Sequence, residues 1–408
     1  MTDNPWLNVI GIGEDGLNGL GALSRSLVEG AEVIYGGERH LAMIPEDQCV
    51  KAERRSWPSP FSKCFEELEA LRGKQVVVLA SGDPMHFGIG GTLQRRFERR
   101  EMRILSLPSS FSMAASRIGW PMDKCQMLTI HGRSIEALVP HYLPGARLLV
   151  LSRDGASPRE VAIQLCERDA GETELIILEH LGGKRERIIE TNARALAEAQ
   201  DETRFADLNL LAIALPYEME NWLPLVPGLP DEAFEHDGKM TKREIRATAL
   251  AKLAPRPNAL LWDIGAGCGS VAIEWLRMHP TCRAIGFEPL EKRRAFAQHN
   301  ARMLGVPHLQ LVDGRAPDVL HAMERPDAVF LGGGLSEEVI TYCLDALKNH
   351  GHLVAHAVTL GSERLLTAMF EQNGGELTRI EISKATPVGP LFGWRPAMPV
   401  TQWTFTKQ

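Results

Sequence analysis

The sequence predicts an α/β protein in two halves, the second of them a doubly wound, Rossmann-like sheet. Three observations predict it. Apolar runs of strand length alternate with helical stretches through both halves. Many of those runs stop at glycine or polar turns, as strands do when their carboxyl ends face a ligand. Between Pro216 and Gly238 the alternation breaks, with prolines at 216, 224, 227 and 230 and several acids. A boundary belongs there, giving a first domain over 1–216, a linker over 217–238 and a second domain over 239–408.

Composition narrows the function. A chain of 408 residues, 44% hydrophobic and 24% charged, has material for two or three domains with real cores. Its net charge of -7 disfavours a general nucleic-acid or anionic-membrane binder. The N-terminal residues lack the charge-then-apolar pattern of a secretory signal, and no apolar run approaches a membrane span. Seven cysteines are scattered and never spaced C-x-x-C, which fits free thiols in a reducing cytoplasm.

In the first half, NVIGI at 8–12 reads as a strand running into the glycine turn Gly11–Gly16. A helix follows at about 20–30 and a strand at 32–35, then an irregular basic, proline-bearing stretch around 51–60. QVVVLA at 75–80 is a buried strand ending in Ser81-Gly82-Asp83-Pro84. The strand at 103–107 ends in Pro108-Ser109-Ser110 before a helix of small residues. Further strands are expected at 147–151, 174–179, 187–190 and 208–215. Ser157, followed by Pro158 and with Glu160 three residues on, predicts a helix cap. Each of these turns is weak evidence alone. Several of them after successive strands can line one cleft.

In the second half, Thr241 with Glu244 forms the sequence pattern of a capping box, predicting a helix to about Leu253. Strands are expected at 260–263, 283–287, 308–312, 327–331 and 352–356. Helices are expected between them, including a short one after Pro317, and a closing hairpin from about 376–383 and 399–406. The first of these strands, LLWD, runs into Gly265, Gly267 and Gly269, and Ser270 opens a helix. A strand, a glycine turn and a helix N-terminus let backbone approach a nucleotide closely. Gly-x-Gly-x-Gly with an acid two residues earlier suits S-adenosylmethionine (SAM), although NAD or a turn without ligand fits the loop alone. Glu288 ends the next strand, where a carboxylate can accept ribose hydroxyls. Asp313-Gly314-Arg315-Ala316 ends the third strand, beside where an adenine would lie. Three such signals in register favour SAM. Cys268 reads as a small residue in a tight turn, since no base is placed near it. His350, His352 and His356 bracket a strand with no cysteine or acid cluster, so no metal is expected.

The segments MTKREIRATALAKL, LLWDIGAGCGSVAIEW, GFEPLEKRRAFAQHNARMLGV, DGRAPD, PDAVFLGGG and LVAHAVTL resemble the class I methyltransferase domain of the decarboxylating precorrin C5,15-methyltransferases. The segments VIGIGEDG, LASGDPMHFGIGGTL, LPSSFSMAAS, HGRS and LNLLAIAL resemble the tetrapyrrole methylase family. The likeness spans nearly the whole chain in the fused order. It departs at Gly13-Glu14-Asp15-Gly16, where Gly-Pro-Gly-Asp is common, and at Arg315, where an acid is common. The resemblance implies a SAM-dependent enzyme of corrin-ring (cobalamin) biosynthesis. Methylation of C-5 would fall to the first domain, and C-15 methylation with loss of the ring-C acetate carboxyl to the second. Precorrin-6Y or 6B would thereby become precorrin-8X.

It further implies one SAM per domain, an anionic tetrapyrrole substrate, no nucleic acid or membrane partner, and a homo-oligomer. Around SAM it places Thr241, Gly265, Ala266, Gly267, Cys268, Gly269, Glu288 and Ala316 in the second domain, and Gly82, Asp83, Pro84, Ser109 and Ser110 in the first. No catalytic residue is fixed. His131 and Arg133, and Arg243 and Arg246, are candidates for substrate contact from charge and position. An NAD(P)-dependent oxidoreductase is the main rival. A nucleic-acid methyltransferase is disfavoured because the fourth strand exits into Leu331-Gly332-Gly333 rather than an Asn-Pro-Pro-Tyr clamp.

Overall fold

The computed structural model describes residues 5–45, 47, 51–200 and 204–408. The chain divides into two compact units at Asn221 and Trp222, and Ser134–Leu143 belongs with the second. It is α/β throughout.

The first unit holds two sheets. One is fully parallel. Its strands β1 (Leu7–Ile12), β2 (Val33–Gly36), β3 (Glu53–Ser56), β4 (Val76–Ser81) and β5 (Met102–Leu105) lie in the order β3-β2-β4-β1-β5. Parallel strands covered on both faces read as unbroken apolar runs, and every residue of β1 is buried. The exception is β3, ERRS, a half-exposed edge strand within the stretch that sequence alone leaves irregular. The second sheet joins β6 (Gln126–Thr129), β7 (Arg147–Leu151), β8 (Glu174–Glu179), β9 (Arg187–Asn192) and β10 (Asn209–Ala214) in the order β6-β7-β10-β8-β9. Only β6 and β7 are parallel. The cap expected at Ser157 takes another form. Ser157 is the first helical residue, and the Asp154 carboxylate accepts the N–H groups of Ala156 and Ser157.

The second unit is built on one sheet, β13-β12-β11-β14-β15-β19-β16. Its strands are β11 (Leu260–Ile264), β12 (Arg283–Phe287), β13 (Gln310–Val312), β14 (Ala328–Leu331), β15 (His352–Ala357), β16 (Glu376–Ile380) and β19 (Val400–Thr406). The first five are parallel and β19 is antiparallel to both β15 and β16. Apolar clusters cover both faces, with Trp275 in one and Trp262 and Trp403 in the other. Order reverses at β11, between β12 and β14, and the glycine loop leaves from there.

Four expectations for this half need correcting. The last two sheet strands do pair, but a separate hairpin, β17 (Ser383–Val388) and β18 (Leu391–Pro396), is inserted between them. The segment after Pro317 forms turns and not a helix. The capping box is absent: the helix Arg243–Leu253 has Lys242 at its N-cap, and Glu244 pairs with Lys384 at 3.0 Å. The Thr241 carbonyl receives the Arg246 guanidinium instead. Nor is 222–238 a loose connection, since Leu229 and Phe234 lie in the core of the second unit.

Candidate active site

At the carboxyl ends of β11, β12, β14 and β15 the second unit encloses a cavity of about 1150 Å³. That is slightly above the usual range for small-molecule sites, about 300–1,000 Å³, with room for more than one nucleoside-sized group. Its lining includes Thr241, Gly265, Ala266, Gly267, Glu288 and Ala316 from the sequence-derived set. Cys268 and Gly269 lie beneath it. Cys268 is a core residue whose carbonyl accepts the Asn300 amide, and burial pushes its thiol up. Gly269, at φ 80°, caps the helix Ser270–Met278, where a Cβ would meet that of Ala297 at 3.0 Å.

The glycine loop is fixed from within. Gly265 and Ala266 donate to the Phe287 carbonyl, and Gly269 donates to the Ala266 carbonyl. Gly267 donates to Glu288 Oε2 at 3.0 Å, and Leu290 to Oε1 at 3.1 Å. These loop amides are therefore spent within the protein, three of them on the end of β12. What the loop offers a ligand is a side-chain-free surface: at Gly265 a Cβ would lie 3.0 Å from the Gly333 backbone, whereas at Gly267 nothing stands closer than 3.7 Å. Each Glu288 oxygen has one backbone bond, and a carboxylate oxygen can accept two. Glu288 thus keeps acceptor capacity for a pair of hydroxyls. With the apolar walls Ile264, Val271, Phe287 and Phe330, this lining fits a nucleoside carrying a positive charge.

Asp263 was visible in sequence only as the acid before the first glycine. It is 1% exposed, lines the cavity and accepts the Ala272 N–H at 3.1 Å. Burial, countered in part by that N–H and reinforced by Glu288, raises its carboxyl to about 7. A carboxyl raised in the folded state contributes stability below its unfolded value, near 3.8, and loses it as pH rises toward 7. The full shift corresponds to roughly 4 kcal/mol. Asp263→Asn, which keeps an acceptor for Ala272, is therefore expected to flatten the fall in the second unit's stability between pH 4 and 7. Denaturant titrations at several pH values read this directly, and parallel slopes for the two proteins would refute it.

The basic candidates fare differently. Arg246 is fully buried. It donates to Glu274 at 2.6 Å, to Asp231 at 3.2 Å and to the carbonyls of Thr241 and Leu229, and it stacks on Phe234. Every donor direction faces protein, so Arg246 is a structural residue and not a substrate contact. Arg243 is exposed and outside the cavity lining. The cations that do line it are Lys239, Lys242, Arg293, Arg315 and Lys384. Of these, sequence alone names only Arg315, in the turn after the third strand, because the others come from separate segments.

In the first unit, Gly82 and Ser110 line a smaller chamber of about 80 Å³ between the two sheets. Its wall is set by close backbone contact. Leu107 donates to the Gly82 carbonyl, and a Cβ on Gly11 would lie 1.9 Å from that oxygen. Asp83, Pro84 and Ser109 stand behind this lining. The Asp83 carboxylate accepts the Met85 N–H, Pro84 is buried against Gly88 and Gly90, and Ser109 caps the helix Ser110–Ile118. A polar cluster that sequence did not single out borders the chamber. Arg39 pairs with Glu14 and donates to Ser81 Oγ at 2.7 Å, and His180 lies 3.7 Å from Glu14. The chamber is far too small for a nucleoside. His131 and Arg133 are exposed and outside it, with Arg133 over the Phe87 ring.

Residues 7–197 match the family of tetrapyrrole (corrin/porphyrin) methylases, and residues 232–407 match the precorrin methyltransferase domain. A precorrin-6Y C(5,15)-methyltransferase [decarboxylating] from Sinorhizobium sp is 46% identical over 99% of this chain and 97% of its own. The chain belongs to that family. The precorrin-6Y C(5,15)-methyltransferase [decarboxylating] of Mycobacterium tuberculosis is 41% identical over 98% of this chain and 99% of its own. A cobalt-precorrin-7 C(5)-methyltransferase from Salmonella typhimurium is 30% identical and covers 45% of this chain and 88% of its own. The precorrin-6Y C(5,15)-methyltransferases are SAM-dependent enzymes, which decides between the two nucleotides that the glycine loop alone admits.

Proposed function

We propose that the second unit binds SAM in the 1150 Å³ cavity and there methylates C-15 of a reduced tetrapyrrole and removes its ring-C acetate carboxyl. The observation that carries this is the convergence of Gly267, Glu288 and Ala316 on one cavity with space left beyond them. Gly265–Gly267, Glu288, Gly314 and Ala316 would hold the nucleoside end. When bound, SAM supplies an electrophilic methyl on a sulfonium. The chain's own part is to orient the ring carbon, exclude water and receive a proton. The buried Asp263 and Glu288 carboxylates suit a cation there, while the lysines and arginines at the lining suit substrate carboxylates.

We infer C-5 methylation for the first unit, with a second SAM per chain. A relative bearing only the C-5 activity in its name aligns with less than half of this chain. Gly82 and Ser110 line the chamber, but its volume lends the second SAM no support. The substrate is read as an anionic precorrin, the assembly as a homo-oligomer and the location as cytoplasmic. No helix among the described residues is long and apolar enough to cross a membrane.

Mass spectrometry after incubating the full chain with SAM and the reduced precorrin-6 substrate tests the whole. Gain of two methyl groups with loss of one carbon dioxide is expected. Methylation without decarboxylation would remove half of the proposal, and NADH-dependent reduction without methylation all of it.

A further inference from the structure

His356 lines the cavity from the carboxyl end of β15 and is only 9% exposed. Its Nε2 lies 2.9 Å from Gln402 Oε1 on β19, and Gln402 is 2% exposed. A carbonyl oxygen accepts, so Nε2 carries the proton and Nδ1 keeps the lone pair. Nδ1 has no partner among the described residues. The ring stands edge-on to Phe330, centroids 5.0 Å apart, which fixes its plane. Burial lowers the imidazole to about 4, against a smaller raising effect of Gln402, so it is a neutral base at ordinary pH.

Position assigns it to one end of the cavity. Strand order runs β12-β11-β14-β15-β19. Glu288 and Asp263 end β12 and β11, under the glycine loop. His356 ends β15, two strand spacings or about 10 Å from β11, beside the apolar Val358, Met398 and Val400. The carboxylates of the lining either lie under the glycine loop, at the other end, or are paired with a cation. Glu288 holds Gly267 and Leu290, Asp231 holds Arg246, Glu244 holds Lys384, and Asp263 holds Ala272 at the far end.

The reaction, as proposed above for this unit, needs one such group. When C-15 is methylated, the C–CH3 bond forms with the ring's electron pair and the methyl–sulfur bond breaks. The C–H pair then returns to the ring and a proton leaves. When the acetate decarboxylates, its C–C bond breaks, the pair enters the ring imine and carbon dioxide departs. The resulting enamine takes a proton at the exocyclic methylene to become methyl. One proton is released and one consumed, so a single acceptor-donor closes the balance.

We propose that His356 is that group: it accepts the C-15 proton at Nδ1 and returns it to the ring-C methylene, with Gln402 as the positioning residue that fixes its tautomer.

His356→Gln keeps an amide donor for Gln402 and removes the base. In the full chain, the expected result is a loss of about 100-fold or more in kcat for C-15 methylation with decarboxylation, with KM for SAM and SAM affinity by calorimetry unchanged. Mass spectra should show at most the one methyl group assigned to the first unit, with the carbon dioxide retained. Gln402→Leu should give a smaller loss of the same kind. Histidine-selective 15N NMR of the ligand-free chain, assigned with the variant, should find His356 neutral and protonated at Nε2. A His356→Gln enzyme within threefold of the parent, or an Nδ1-protonated His356, overturns the inference. If the parent chain neither binds SAM through Gly267 nor decarboxylates, the functional reading has failed instead.

Discussion

Arg246→Ala is expected to destabilise the second unit by about 3–5 kcal/mol, the range for removing one partner of a buried ion pair. The reason is geometric. One guanidinium ties Glu274 on the helix after the glycine loop, Asp231 in the preceding proline-rich segment, and the carbonyls of Thr241 and Leu229. Alanine leaves Glu274 buried with only the N–H groups of Gly228 and Leu229 as partners, and leaves two carbonyls desolvated. Arg243→Ala, three residues away and exposed, should stay within about 0.5 kcal/mol. Denaturant unfolding of the two variants side by side reads the contrast. Equal and small effects would mean that Arg246 is not the tie described.

Gly267→Asp is expected to weaken SAM binding in the second unit by a hundredfold or more, about 2.7 kcal/mol, while the unit stays folded. At φ 57° a non-glycine residue is strained, but aspartate tolerates this region better than most, at a cost of about 1 kcal/mol. The new side chain meets no protein atom closer than 3.7 Å at Cβ, so it projects into the space the ligand needs. It also sets a second carboxylate beside Glu288. Calorimetry on the parent should show two sites per chain, and on the variant one. Two undiminished sites in the variant would remove the glycine loop from SAM binding.

How legible the chain was from its sequence depended on how local each signal is. Strands buried on both faces, such as β1 and β11, announce themselves as apolar runs, and a glycine turn after a buried strand can be read residue by residue. The edge strand β3 could not be seen that way, because ERRS is polar and half exposed. The hairpin β17–β18 was hidden for the same reason: it lies off the main sheet and buries little. Within the site, Glu288 and Ala316 were found because each ends a strand at a fixed distance from the loop. His356 was noticed only as one of three histidines without a metal cluster, and its pairing with Gln402 could not be seen, since the two are 46 residues apart and meet only through an antiparallel pairing. Arg246 was misread because charge in a sequence looks like solvent exposure. Only packing shows that the side chain is fully buried and that four of its five N–H groups already bond protein.

The burial of Asp263 beside Glu288 has a consequence for the heat of binding. With its carboxyl raised to about 7, the cavity without ligand holds a fraction of a proton near neutral pH. Any cation placed there favours the ionised form and expels that proton into the buffer. The enthalpy measured for a sulfonium ligand should therefore change with the buffer's own ionisation enthalpy. By linkage, affinity should rise with pH across the range in which Asp263 titrates. A neutral analogue of the same shape should show neither dependence.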